Sequence, residues 1–432
     1  MSEYTKWKCA VNGQAKRDAQ RIAKNMAFSL GSASKLNSVT SLEIVQWNPL
    51  EHCGIALVFN ALDRIFPKED FHAAAHKHLS IATSSQQIHH LSLYGGLCQI
   101  GLTASVMSKG STKYRGLLEQ IDRTIEHTIG QYIGVVQQGN GQYPTAVYDH
   151  ISGLSGVAVY LLSRTNGDKP QKALLQILET LVQLSRKNNQ GIFGFTTQPA
   201  WRRGFLANNS QMGNGMVDCG MAHGIVGALS VMSLALTKGV EVEGIRESIR
   251  SIADWLLTHI MQDEWGIGWP AAVGIVDGQY STVNNNVAED GWCYGAPGIA
   301  IALLHAGRAL GESEFSTHAI EALRSGNRRA QTQRILHRSP ALCHGLAGMC
   351  QINLRFWHET KNEEFHKSAI HWFEELMNTY SESFVFGFRE IDWREKPFDS
   401  PMFLSGASGI ALNLLAVASE VEPFWDGFLM LS

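Results

Sequence analysis

Seven apolar runs recur along the chain, and each opens on a glycine. They begin at His52-Cys53-Gly54, Leu93-Tyr94-Gly95-Gly96, Ser152-Gly153-Leu154-Ser155-Gly156, Ala222-His223-Gly224-Ile225-Val226-Gly227, Trp292-Cys293-Tyr294-Gly295-Ala296-Pro297-Gly298, Cys343-His344-Gly345-Leu346-Ala347-Gly348 and Ser405-Gly406-Ala407-Ser408-Gly409. Five keep a full Gly-x-x-Gly, and the first two keep only its second glycine. The second glycines, at 54, 96, 156, 227, 298, 348 and 409, mark a repeat of roughly 40–70 residues. The runs themselves, such as SVMSLALT and ALNLLAVA, are apolar all round, which predicts helices buried on every side. Between them lie segments such as 14–30, 245–261 and 362–380, where charged and apolar residues alternate at helical spacing. Seven buried helices alternating with seven amphipathic ones predict an all-α fold, a double-ring α/α toroid over one domain, residues 1–432. A linear stack would leave its apolar inner helices uncovered at both ends, and closing the ring avoids that.

Glycine in the first helical turn carries no Cβ, so neighbouring chain can approach closely. Seven such helix starts converging on one axis would form a cavity floor, given a positive bias by their unsatisfied N–H groups. Three stretches break the repeat. Residues 31–41 are Ser-rich and read as a loop. Residues 188–218 are rich in Gly, Asn, Phe and Trp and read as a β-containing insertion or lid. Residues 263–290 read as a long loop directly before Cys293, and long loops in compact domains are commonly functional.

Composition narrows the class. The 432 residues are 44% hydrophobic and only 17% charged, which fits a large, well-buried globule. A net charge of −3 provides no global field for nucleic acid or anionic membrane. The first twenty residues lack the apolar core of a secretory signal, and no stretch of about 18 apolar residues predicts a spanning helix. Seven sparse cysteines, an odd number, then point to reduced thiols in a cytoplasmic setting.

Candidate chemistry sits at the fifth and sixth glycine frames. Aligned on their glycines, Cys293, Cys343 and His344 stand at equivalent places in two copies of one unit. Two thiols and an imidazole suit tetrahedral zinc with its fourth position open, the arrangement of a catalytic centre. Most cysteines are simply small buried hydrophobes, and that reading applies to Cys98 and Cys350 and also to Cys53 and Cys219. Taken alone, His223 reads as a histidine packed at a helix start and Asp149 as a helix N-cap. Tyr294 and Trp292 read as packed rings, and Trp201-Arg202-Arg203 as an exposed basic loop.

The whole pattern resembles the lanthionine synthetase C-like cyclases. The resemblance rests on WCYGAPGI, followed by CHGLAG, with AHGIVG upstream, and it runs from about residue 50 to the end. It implies one zinc held by Cys293, Cys343 and His344, with His223, Asp149 and Tyr294 as catalytic residues. The reaction it implies is addition of a peptide cysteine thiol to dehydroalanine or dehydrobutyrine, giving thioether rings. The expected substrate is a dehydrated precursor peptide with its leader, and a dehydratase and an exporter are candidate partners. The expected location is the cytoplasm, with peripheral membrane association through a biosynthetic complex as a variant. Bacterial cyclases often carry arginine four residues before the first zinc ligand, where this chain has Glu289. One rival is addition of glutathione or another small thiol, as in eukaryotic relatives. Two others are a non-catalytic peptide-binding scaffold and a zinc prenyltransferase, which lacks the CHG frame.

Overall fold

The computed structural model describes residues 7–42, 44–45, 47–85, 90–109, 111–139, 143–165, 170–202, 204–207, 212–282, 286–332, 339–392 and 395–432. In chain order the helices are α1 (Gly13–Gly31), α2 (Ala33–Thr40), α3 (His52–Ile65), α4 (His72–Thr83), α5 (Leu97–Ser108), α6 (Arg115–Gln138), α7 (Leu154–Arg164) and α8 (Lys172–Leu184). They continue with α9 (Ile225–Thr237), α10 (Ile245–Thr258), α11 (Ala296–Leu310), α12 (Ser313–Ala330), α13 (Leu346–Thr360), α14 (Glu363–Asn378) and α15 (Ala407–Val417). The glycine-frame runs become α3, α5, α7, α9, α11, α13 and α15, and the segments between them become the amphipathic helices. α9 shows why the runs are apolar all round: of its first nine residues, Ile225 to Ser233, none reaches the surface. Each fully buried Leu, Ile or Val there contributes about 1.5–3 kcal/mol of transfer free energy.

Two compact units divide the chain. One comprises Met1–Ile88, Val106–Lys113 and Ala330–Ser432, the other His89–Ser105 and Tyr114–Arg329. In the first, α13 packs on α15 and α15 on α3, with α14, α1 and α4 outside them. The first and last glycine-opened helices therefore meet, and the segment ahead of α1 ties to the end of α15, where Ala10 N donates to Val417 O at 2.9 Å. Behind them Arg355 of α13, 7% exposed, grips the fully buried carboxylate of Asp426 at 2.6 and 2.7 Å. In the second unit α7 packs on α9 and α9 on α11, with α8 and α10 outside.

The Gly-x-x-Gly is explained by the loop preceding each helix. That loop folds back across the first turn, leaving no room for a side chain. A Cβ at Gly345 would overlap the carbonyl oxygen of Ser339, and one at Gly348 that of Leu342. The loops ahead of α5, α7, α9 and α13 each hand a hydrogen bond to the loop of the next glycine-opened helix. Tyr94 N donates to Ile151 O, His150 N to Ala222 O and Met221 N to Cys293 O, at 3.1, 3.1 and 2.9 Å. In the other unit Cys343 N donates to Leu404 O at 3.0 Å. The close approach anticipated for the glycines is thus made by the helix's own loop at α7, α9, α11, α13 and α15, whereas Gly54 of α3 faces Phe403 and Ser408.

Two sequence readings are corrected. Residues 31–41 hold α2, because Leu36 and Val39 are buried and α2 packs against α1, which outweighs a Ser-rich composition. Residues 263–281 hold strands and their turns rather than a plain loop, while 286–290 carry no strand. β2 (Met261–Asp263) pairs with β3 (Gly266–Gly268), and β4 (Ala272–Val276) with β5 (Gln279–Ser281). β1 (Gly215–Asp218), at the end of the expected insertion, adds to β4 and makes a three-stranded antiparallel sheet. A short pair, β6 (Glu390–Ile391) and β7 (Pro397–Phe398), lies in the first unit. No helix among the described residues is long and apolar enough to cross a membrane.

The backfolded loop separates two kinds of glycine. Gly130 lies in α6 with open space around its α-carbon, whereas a Cβ at Gly348 meets backbone. In urea unfolding, Gly130→Ala is expected to raise stability by about 0.5–1 kcal/mol. Gly348→Ala is expected to lower it by about 3 kcal/mol or more.

Candidate active site

The loops before α7, α9, α11, α13 and α15 are built alike. Four to six residues ahead of the first glycine, each carries an Asp or Ser: Asp149, Asp218, Asp290, Ser339 and Ser400. One oxygen of each side chain accepts a backbone N–H of its own loop. Asp149 Oδ1 accepts from Ser152 and Gly153 at 2.7 and 2.9 Å, and Asp218 Oδ1 accepts from Gly220 at 2.8 Å. Asp290 Oδ1 accepts from Ala296, Ser339 Oγ from Ala341 and Ser400 Oγ from Met402, at 2.9, 3.3 and 3.4 Å. A serine has then used its one oxygen as acceptor, but an aspartate keeps a second.

The second oxygens do the reaching. Asp149, 1% exposed, places Oδ2 at 2.7 Å from His223 Nδ1, while the imidazole itself is about half exposed. Asp218 Oδ2 accepts the Tyr294 hydroxyl at 2.9 Å, and Asp290 Oδ2 accepts from buried Arg329 at 3.0 Å. Asp149 is therefore not the helix N-cap that its position suggests, since Gly153 opens α7 with no side-chain cap; it braces the loop ahead of α7 and is the partner of His223. Burial works against the His223 imidazolium, but the hydrogen bond and charge of Asp149, with Asp218 and Cys293, outweigh it and raise the pKa. Burial pushes Asp218 up to about 6, against the opposing hydrogen bonds from Gly220 and Tyr294. Burial, then the Asp218 charge, raises the Tyr294 phenol.

Cys293 and Cys343 are half-buried and His344 is exposed. A ligand atom from each lies within 4.8 Å of the other two. Two thiols and an imidazole gathered in this way fit a zinc ion in number and in donor chemistry. Near them Glu390 is buried and accepts the Ser339 hydroxyl at 3.0 Å; burial raises its pKa, and the Ile391 N–H, the His344 charge and the Ser339 hydroxyl oppose that.

The other candidates fall out as follows. Cys53, Cys98, Cys219 and Cys350 are buried, in keeping with packing. Trp292 is buried with its ring edge-on to His150. Trp201 is exposed, and Arg202 donates to the carbonyls of Met212 and Gly213 at 3.1 and 2.7 Å. Arg203 lies outside the described residues. Glu289 is exposed. Sequence reading missed Asp218 and Asp290. An alignment of the repeats on the polar residue ahead of the glycines would have found both.

The profile of the family described as lanthionine synthetase C-like protein matches residues 52–430. The chain belongs to this family. Among lanthionine synthetase C-like relatives, the nisin biosynthesis protein NisC of Lactococcus lactis subsp. lactis is 25% identical over 351 residues, 79% of this chain and 77% of that one. A solved structure of nisin cyclase superposes with a TM-score of 0.74 at 21% identity, over 96% of this chain and 97% of its own. The fold is therefore a helical toroid, as the alternation of buried and amphipathic helices predicts.

The Asp149–His223 pair has a titration consequence. A raised pKa keeps His223 protonated to higher pH, and Asp149 is the strongest of the groups that raise it. Asp149→Asn is expected to move the His223 titration, read from its ring protons by NMR, to lower pH. An unchanged or higher midpoint would count against the pairing.

Proposed function

We propose that this chain is a zinc-dependent lanthipeptide cyclase, adding peptide cysteine thiols to dehydroalanine or dehydrobutyrine. That it is a lanthionine cyclase follows from the family; zinc and the thiol addition are the finer reading. The observation that carries the finer reading is the meeting of Cys293, Cys343 and His344, three donors of the type zinc takes with one position left open.

Zinc held by these residues would act as a Lewis acid that ionises the substrate thiol near neutral pH. A cysteine with pKa near 8.5 is only about 3% thiolate at pH 7, so full ionisation gains about 30-fold. The larger part of the rate comes from holding thiol and alkene together, where effective molarities reach about 10⁵ M or more.

The reaction forms a C–S bond at the β-carbon of the dehydro residue. The thiol proton is lost to a base, and the α-carbon of the resulting enolate gains a proton. His223 serves as the acid for that carbon. Its Nδ1 faces Asp149, which leaves Nε2 to deliver the proton, and its raised pKa favours the protonated form. Asp149 is covered from solvent and holds the ring in one orientation. The substrate is a dehydrated precursor peptide with its leader; a dehydratase and an exporter are the partners that such a peptide implies. A non-catalytic scaffold would have no use for an acid–base pair of this kind.

Cys293→Ala or Cys343→Ala is expected to lose the bound zinc and all cyclisation while the helical content stays. His223→Ala is expected to keep zinc and to cyclise about 10²-fold more slowly. Both are measured as metal content per chain and as loss of peptide thiols from a dehydrated peptide, with and without glutathione. Full zinc in both cysteine variants, or a wild-type rate in His223→Ala, would reject the assignment. Thiol consumption only from glutathione would select the small-thiol enzyme instead.

A further inference from the structure

We infer that Asp218 is a positioning residue for cyclisation, fixing the Tyr294 hydroxyl as a hydrogen-bond donor to the protein so that it meets substrate only as an acceptor. The inference rests on the cyclase reading and adds a residue to it. The Tyr294 hydroxyl lies 2.9 Å from Asp218 Oδ2, and Asp218 is 2% exposed. A buried carboxylate can only accept, so the phenol proton points at Asp218 and is not offered to substrate.

The surroundings are shaped for this contact. Asp218 Oδ1 is occupied by the Gly220 N–H at 2.8 Å, so the carboxylate is held by its own loop before the tyrosine arrives. Gly220 makes the seat: a Cβ there would stand 2.7 Å from the Tyr294 ring. Met221 N and Ala222 N both donate to Cys293 O, at 2.9 and 3.4 Å, and this sets the register of the two loops. An asparagine in place of Asp218 that kept its oxygen on the Gly220 N–H would turn its amide nitrogen to Tyr294 and donate to the hydroxyl, reversing the bond. The arrangement repeats that of Asp149 and His223: a loop-capping aspartate reaches forward with its second oxygen to a functional side chain of the next repeat.

The role of Tyr294 follows. While Asp218 holds its proton, Tyr294 cannot be the acid that protonates the enolate, and that task stays with His223. What Tyr294 offers is an acceptor for a substrate donor such as a backbone N–H.

Two measurements on the zinc-loaded full chain test this. Kinetics with a dehydrated peptide are expected to show Asp218→Asn and Tyr294→Phe each lowering kcat/KM by about tenfold or more, the scale of a hydrogen bond to a charged group. The double variant is expected to be no slower than the slower single one, with zinc content unchanged throughout. Losses that multiply would overturn the proposal, since Asp218 would then act independently of Tyr294. The ultraviolet resonance Raman doublet of tyrosine, as wild type minus Tyr294→Phe, is expected to report a strong donor. A weakly bonded or acceptor-only Tyr294 would overturn the proposal even if Asp218→Asn failed to fold. Wild-type protein that cyclised no peptide would remove the cyclase reading, while the Raman result would still judge the contact.

Discussion

The helix-opening loop is the constraint on which the rest depends. It must fold back over the first turn of a helix that is buried on all sides, and only glycine leaves room for its carbonyl there. Gly345 under Ser339 O and Gly348 under Leu342 O show the contact in the repeat that carries Cys343 and His344. Once folded back, the loop has backbone groups to satisfy. It uses a side-chain oxygen of its own and a carbonyl of the next loop, as Cys343 N does with Leu404 O. Glycine, cap and hand-over are one solution to the problem of starting a helix in the middle of a protein.

That solution also creates the chemistry. A serine brace has one oxygen, which accepts within its own loop and, at Ser339, reaches beyond it only as a donor to Glu390, whereas an aspartate has a second acceptor oxygen to place. Asp149 places it on His223 and Asp218 on Tyr294, each one repeat forward. Both carboxylates are almost fully buried, and a buried charge is tolerated when hydrogen bonds surround it. Rigid backbone N–H groups on one oxygen therefore pre-orient the other, so His223 and Tyr294 take their positions from the fold.

Much of this is legible in the sequence because it is written as repetition. The glycine frames locate the buried helices, and their all-round apolarity predicts the closed ring. Cys293, Cys343 and His344 stand out because they break that repetition at matching places. What the sequence conceals is set by tertiary contact or by weak local signals. α2 forms in a Ser-rich segment since Leu36 and Val39 find a surface to cover. The β4–β5 hairpin turns at Asp277-Gly278, both with positive φ, and an Asp-Gly pair between apolar residues is a hairpin signal in its own right. Asp218 was hidden by its ordinariness: only its place ahead of the glycines, shared with Asp149 and Asp290, marks it, and its task emerges only with the tyrosine beside it.

The central claim is that matching loops bring two thiolates and one imidazole to a single zinc and leave one position for a substrate thiol. X-ray absorption at the zinc edge, on metal-loaded protein, tests it most directly. The account predicts two sulfurs and two lighter donors in the resting protein, and a third sulfur when a cysteine-containing dehydrated peptide is added. A sulfur-free shell, or a shell of four protein donors that the peptide leaves unchanged, would contradict it.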